Sequence, residues 1–155
     1  MNQLVAIDPG ASGGIAWRLS SGKILCRPMP ETEGDVVGII RNLSCLNPSA
    51  VMMEQVGGFI AGKFNPGSAM FNFGMNYGIL KGAIQAFGMP LVLVRPQAWQ
   101  KALSLGTKKD YENKWKSHLK ERAQQLFPEV ENITLKTADA LLILYYATKQ
   151  NLFDL

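Results

Sequence analysis

Cysteine is scarce in this chain. Cys26 and Cys45 are too few and too far apart for a zinc site or a disulfide framework, so both read as packing residues in a reducing compartment. The single histidine, His118, lies in a lysine-rich stretch and is assigned no catalytic role. No apolar run approaches the roughly 18 residues that cross a bilayer, and the N-terminus lacks a basic stretch followed by a signal-like core. A soluble, cytoplasmic protein with no membrane partner is expected. Charge is sparse at 18% while hydrophobic residues reach 47%, which excludes a disordered chain. There is no internal repeat, linker or low-complexity tract, and 155 residues suit one domain, residues 1–155, with a full core.

The charge that is present is unevenly placed. Residues 95–122 carry eight bases against three acids, a net +5, whereas the remainder has eight bases against nine acids, a net −1. One segment therefore holds the whole positive field, as a surface facing a polyanion would. Trp99, Tyr111 and Trp115 are interleaved with its lysines, which suits a surface that follows a sugar-phosphate backbone. A solvated helix face would have the same composition.

Three strand-like runs open the chain, Gln3 to Asp8, Gly14 to Leu19 and Lys23 to Met29, separated by Gly- and Ser-rich turns, and they read as an antiparallel meander. Apolar residues at helical spacing predict a helix over Asp35 to Leu46, stopped by Asn47-Pro48. Ala50 to Glu54 is a fourth strand. Residues 55–70 hold four glycines, Phe59 and Phe64, and read as a surface loop placed to contact substrate. Phe71 to Phe87 is predicted as a helix with Gly74, Gly78 and Gly82 on one face. Each interior glycine costs about 1 kcal/mol relative to alanine, so something should approach that face closely. Pro90 to Val94 is a fifth strand, Pro96 to Leu103 a short helix, Gly106 to Asp110 a basic turn and Tyr111 to Phe127 a helix. Thr137 to Lys149, apolar almost throughout, is a helix packed on the sheet.

Three carboxylates stand out against these elements. The apolar strand Leu4-Val5-Ala6-Ile7 delivers Asp8 into a glycine-rich turn, Glu54 ends the fourth strand, and Asp139 falls in the first turn of the last helix. Acids with such apolar flanks are costly unless a cation or hydrogen bonds compensate them. Converging, they would make a magnesium site. Each also has a plainer reading: Asp8 as a turn former before Pro9-Gly10, Glu54 as an exposed strand end, and Asp139 as a favourable charge at a helix start.

The motifs Ile7-Asp8-Pro9-Gly10, Met53-Glu54-Gln55, Val94-Arg95-Pro96-Gln97-Ala98-Trp99-Gln100-Lys101, Gln125-Leu126-Phe127-Pro128 and Ala138-Asp139-Ala140-Leu141-Leu142-Ile143 occur in that order. Together they resemble the signatures of RuvC-type Holliday junction resolvases, most nearly the phage and prophage branch, from residue 4 to about 147. The resemblance implies an α/β, ribonuclease H-like fold: a mixed five-stranded sheet, antiparallel in its first three strands and flanked by helices, with the first and fourth strands adjacent. It implies a metal-dependent DNA endonuclease of a bacterial cell or a phage that resolves four-way junctions by paired nicks, with other branched DNA as candidate further substrates. Asp8, Glu54 and Asp139 would bind two Mg²⁺ ions, for which Mn²⁺ can substitute. The family often has an acid or histidine three residues before the last Asp. Here that position is Lys136, which either contacts the scissile phosphate and the departing oxyanion or is a solvated helix-start lysine.

By the same resemblance, Lys101, Lys108, Lys109, Lys114 and Lys116 approach the DNA, and Phe59 or Phe64 stacks on bases at the junction centre, an interaction worth about 1–3 kcal/mol per base. The helix with Gly74, Gly78 and Gly82 would pair two subunits, since a symmetric junction offers two scissile strands. Three alternatives stand beside this reading. A ribonuclease H acting on RNA–DNA hybrids shares the acids but not the later motifs. A structure-selective DNA-binding protein with impaired catalysis is left open by Lys136. An actin-like ATPase needs two such domains, more than 155 residues supply.

Overall fold

The computed structural model describes residues 1–57 and 67–150. Its elements run β1 (Leu4–Asp8), β2 (Gly14–Arg18), β3 (Ile24–Pro28), α1 (Glu33–Ser44), β4 (Ala50–Glu54), α2 (Gly67–Ala86), β5 (Leu91–Val94), α3 (Pro96–Ala102), α4 (Lys108–Tyr111), a 3₁₀ turn over Glu112–Lys114, α5 (Trp115–Leu126) and α6 (Ala138–Lys149). The five strands form one mixed sheet in the order β3-β2-β1-β4-β5. β1, β2 and β3 pair antiparallel, while β4 joins β1 and β5 in parallel. The first and fourth strands are therefore neighbours, as the ribonuclease H-like arrangement requires.

Alternation along the strands splits the core into two faces. Leu4, Ala6, Ala16, Ala50 and Met52 meet α3, α5 and α6, whereas Val5, Ile7, Ile15, Val51 and Met53 meet α1 and α2. Three alanines beneath α6 leave room for a helix whose Ala138 through Leu144 are all buried.

Most departures from the sequence reading lie at element ends. α1 begins two residues early because Thr32 caps it, its hydroxyl oxygen accepting from the Asp35 amide at 3.1 Å. α2 reaches back to Gly67. The expected basic turn is a short helix closed by a capping box between Thr107 and Asp110. The long helix expected from Tyr111 is interrupted at Glu112, whose φ of 49° lies in the left-handed region. Space for a Cβ at Gly74, Gly78 and Gly82 is open, so among the described residues nothing presses on that face.

Candidate active site

The register of the sheet places two of the three carboxylates. β1 and β4 run parallel with Ile7 opposite Met53, so Asp8 and Glu54 follow at adjacent strand ends. Both continue the face of Ala6 and Met52, the face covered by α6. Glycine then admits the third. Gly14 sits opposite Asp8 in β2, and a Cβ there would lie 2.5 Å from the Lys136 carbonyl oxygen. Only a residue without a side chain lets the chain entering α6 come this close, and Asp139 follows three residues later, 6% exposed. Behind the same turn, Gly10 has φ +100° and a Cβ there would sit 2.6 Å from the Phe73 ring. Its amide donates to Asn76 Oδ1 at 2.9 Å, which ties the turn after Asp8 to α2.

The three acids share one pocket electrically. Burial, then the charges of Asp139 and Glu54, push the Asp8 carboxyl well above the usual range, with Lys116 opposing. Burial also raises Glu54, with Asp139 adding to the effect, while a hydrogen bond from Trp99 and the charge of Lys116 pull the other way. Trp99 is fully buried, and its Nε1–H donates to Glu54 Oε2 at 2.9 Å. Lys116 Nζ lies 2.5 Å from Asp139 Oδ2, on a side chain that is 54% exposed. Burial works against its charge, but the charge of Asp139 and the hydrogen bond to it, with Asp8 and Glu54 behind, prevail and raise its pKa. Among the described residues, Asp139 Oδ1 is buried and has no hydrogen-bond partner.

This donor set fits hard divalent cations. Among the described residues it consists of carboxylate oxygens alone, one of them buried without a partner, and Lys116 is the ammonium that faces three acids whose mutual repulsion favours added positive charge. It is not a preassembled shell. Among the described residues no three acidic, histidine or cysteine side chains gather tightly enough to hold one ion together, and Lys116 holds one oxygen of Asp139.

Lys136 is exposed and lines a cavity of about 850 Å³ with Ala11, Ser12, Met29, Phe73 and Asn76, a cavity that none of the three acids lines. Among the described residues, the cation paired with one of the acids is Lys116. Sequence reading grouped Lys116 with the DNA-facing lysines and saw Trp99 as one aromatic among them. Nothing in the local pattern distinguishes either, because their partners are 23 and 45 residues away.

Lys101, Lys108, Lys109 and Lys114 are all exposed on α3, α4 and the 3₁₀ turn. Lys101 and Lys108 line a second cavity with Gln97, Gln100 and Thr107. Phe59 and Phe64 lie outside the described residues. His118 is half-buried: it stacks on Tyr111 with ring centroids 3.8 Å apart, and its Nε2 is 2.8 Å from the Leu105 carbonyl oxygen. Its role is to fasten α5 to the turn before α4.

The same fold is found in solved structures. Thermus thermophilus RuvC matches with a TM-score of 0.55 at 20% identity, over 95% of this chain and 96% of that one. The structure of T. thermophilus RuvC in complex with Holliday junction substrate matches with a TM-score of 0.56 at 19% identity, over 97% of each chain. The fold is that of RuvC. No family model and no curated protein sequence matches the chain. Likeness to RuvC at this identity establishes architecture, so activity must be argued from the residues in the pocket.

Proposed function

We propose that the chain is a single-domain, divalent-metal-dependent endonuclease that resolves four-way DNA junctions by paired nicks and acts as a homodimer. One observation carries this reading. Asp8, Glu54 and Asp139, from three elements far apart in sequence, lie at one end of a RuvC-like sheet within electrostatic reach of one another, with Asp139 Oδ1 buried and unpaired among the described residues. The three carboxylates would hold Mg²⁺, or Mn²⁺ in its place. When bound, such ions neutralise charge on a phosphate and activate water for in-line displacement.

The chain's own residues do the rest. Asp8 is the acid whose carboxyl is raised by the charges of both others as well as by burial. Lys116 adds a positive charge on a half-exposed side chain, where it balances Asp139 and can meet a scissile phosphate. Lys101, Lys108, Lys109 and Lys114 extend that positive surface along the DNA backbone, so binding should weaken as salt rises. Phe59 and Phe64 remain the proposed base-stacking residues. The exposed face of α2, with Phe71 70% exposed and Met75 40%, would meet its symmetry copy and present one pocket to each cleaved strand. By family analogy the products carry 5′-phosphate and 3′-hydroxyl ends.

A second reading has one observation in its favour. The ion pair between Lys116 and Asp139 partly fills the site, as in a junction-binding protein whose catalysis has been impaired. Incubating the protein with labelled four-way junction, fork, linear duplex and RNA–DNA hybrid, with Mg²⁺, Mn²⁺ or chelator, separates these readings. Metal-dependent cutting of the junction, lost in Asp8→Asn, is the expected result. Tight junction binding without cutting in either metal would favour the second reading, and preferential hydrolysis of the hybrid would refute both.

A further inference from the structure

Of the three acids, Glu54 has the least ordinary partner. At the corner between β5 and α3, the Gln55 amide donates to the Val94 carbonyl at 2.7 Å, which fixes the end of β4 against β5. Arg95 caps α3 with Pro96 in its first turn, and Trp99 follows within that turn, fully buried in the core that also holds Val94, Leu105 and Leu119. An indole has one N–H donor and no acceptor, and when buried it must find a partner or lose the hydrogen bond outright. Its partner here is Glu54 Oε2, at 2.9 Å.

That bond has two consequences. A glutamate at a strand end ordinarily turns about its last torsions, and an anchored oxygen stops this motion. The donor is also neutral. Unlike the ammonium of Lys116 on Asp139, it leaves the carboxylate's whole charge available to a cation.

We propose that Trp99 is a positioning residue for Glu54: its indole N–H pins Oε2, so that Oε1 is the oxygen offered to a divalent ion. This rests on the metal reading of the pocket and adds a residue to it, one that touches neither ion nor DNA. Proteins hold metal-ligating carboxylates and imidazoles with such outer hydrogen bonds because a rigid ligand loses less freedom when the ion arrives.

The test compares wild type with two replacements at position 99. Trp99→Phe removes the donor and part of the ring system. The benzothienyl analogue of tryptophan, introduced at the same position, keeps the shape and lacks only the N–H. Mn²⁺ binding to each protein is measured by calorimetry, junction binding in chelator by gel shift, and junction cleavage as a function of Mn²⁺ concentration. Loss of a hydrogen bond to a metal ligand weakens metal binding or activity by about 10- to 100-fold. The analogue should show a loss of that size in Mn²⁺ affinity, unchanged junction binding and a wild-type melting profile, with cleavage recovering as Mn²⁺ is raised. A packing defect would not respond to metal in this way.

Wild-type Mn²⁺ affinity in the analogue would overturn the positioning role and leave the nuclease reading intact. Absence of Mn²⁺ binding by the wild type would overturn both.

Discussion

Helices α2 and α6 are both rich in apolar residues, yet the fold treats them oppositely. α6 covers the centre of the sheet and buries Ala138 through Leu144 together with Ala147. α2 spans 20 residues and buries only Leu80, Ala83 and Ile84, while Phe71 and Met75 stand in solvent beside three unobstructed glycines. The contrast shows that an apolar helix is an unfinished statement until its neighbours are known. Beneath α6, Ala6, Ala16 and Ala50 admit a helix on the sheet, and the one acid on its inner surface becomes costly. Along α2 the surplus apolar surface is left uncovered by the described residues.

The largest effect should come from the acid under α6. Asp139→Asn should reduce junction cleavage in Mg²⁺ below detection while junction binding in chelator persists, as read by gel assay. Removing negative charge from a phosphate-facing pocket does not weaken association. Cleavage surviving in this variant would remove α6 from the catalytic side of the comparison.

Next comes packing. Leu142→Ala should destabilise the fold by about 2–5 kcal/mol, because the cavity lies in a sealed core. Met75→Ala, on the exposed face of α2, should change monomer stability by only about 0.5 kcal/mol. Urea denaturation measures both, and equal losses would erase the distinction between the helices.

A pH dependence follows from the same pocket. Folding raises the pKa of Asp8 and of Glu54, chiefly through burial, so the folded state binds more protons than the unfolded state above the ordinary carboxylate range. Stability of the metal-free protein should therefore fall as pH rises from that range through the raised values. Asp8→Asn removes one of these groups, so it should flatten the fall and melt higher than wild type at neutral pH without metal. Added Mg²⁺ should stabilise wild type more than the variant. A variant that melts lower than wild type at neutral pH would contradict this electrostatic account.

The smallest effect sharpens the comparison most. Among the described residues the new methyl of Gly78→Ala meets nothing beyond its own helix, so it should stabilise the monomer by up to about 1 kcal/mol through helix propensity. Sedimentation should show weaker self-association if two α2 faces meet closely there. Unaltered self-association would place the dimer contact elsewhere.

Much of the fold was legible because local chemistry dictated it. Ala50–Glu54 appears with the expected ends, and the turns after β1 and β2 are marked by glycines that the backbone needs. Motif order led to Asp8, Glu54 and Asp139, and the register places the first two at adjacent strand ends. The break at Glu112 was hidden, since neither glycine nor proline announces its positive φ. The backward extension of α2 to Gly67 ran against a glycine- and serine-bearing start that reads as loop.

By itself, the sequence determined which segments alternate as strands or repeat as helices, where glycine opens a turn, and which acids end apolar runs, because those features depend on neighbours a few residues away. Only the tertiary structure decided that Lys116 rather than Lys136 accompanies the acids, that Trp99 holds Glu54, and that one apolar helix is sealed while the other lies open. Those outcomes depend on which surfaces the sheet brings within hydrogen-bond or van der Waals range, and such contacts are short in space between residues far apart in the chain.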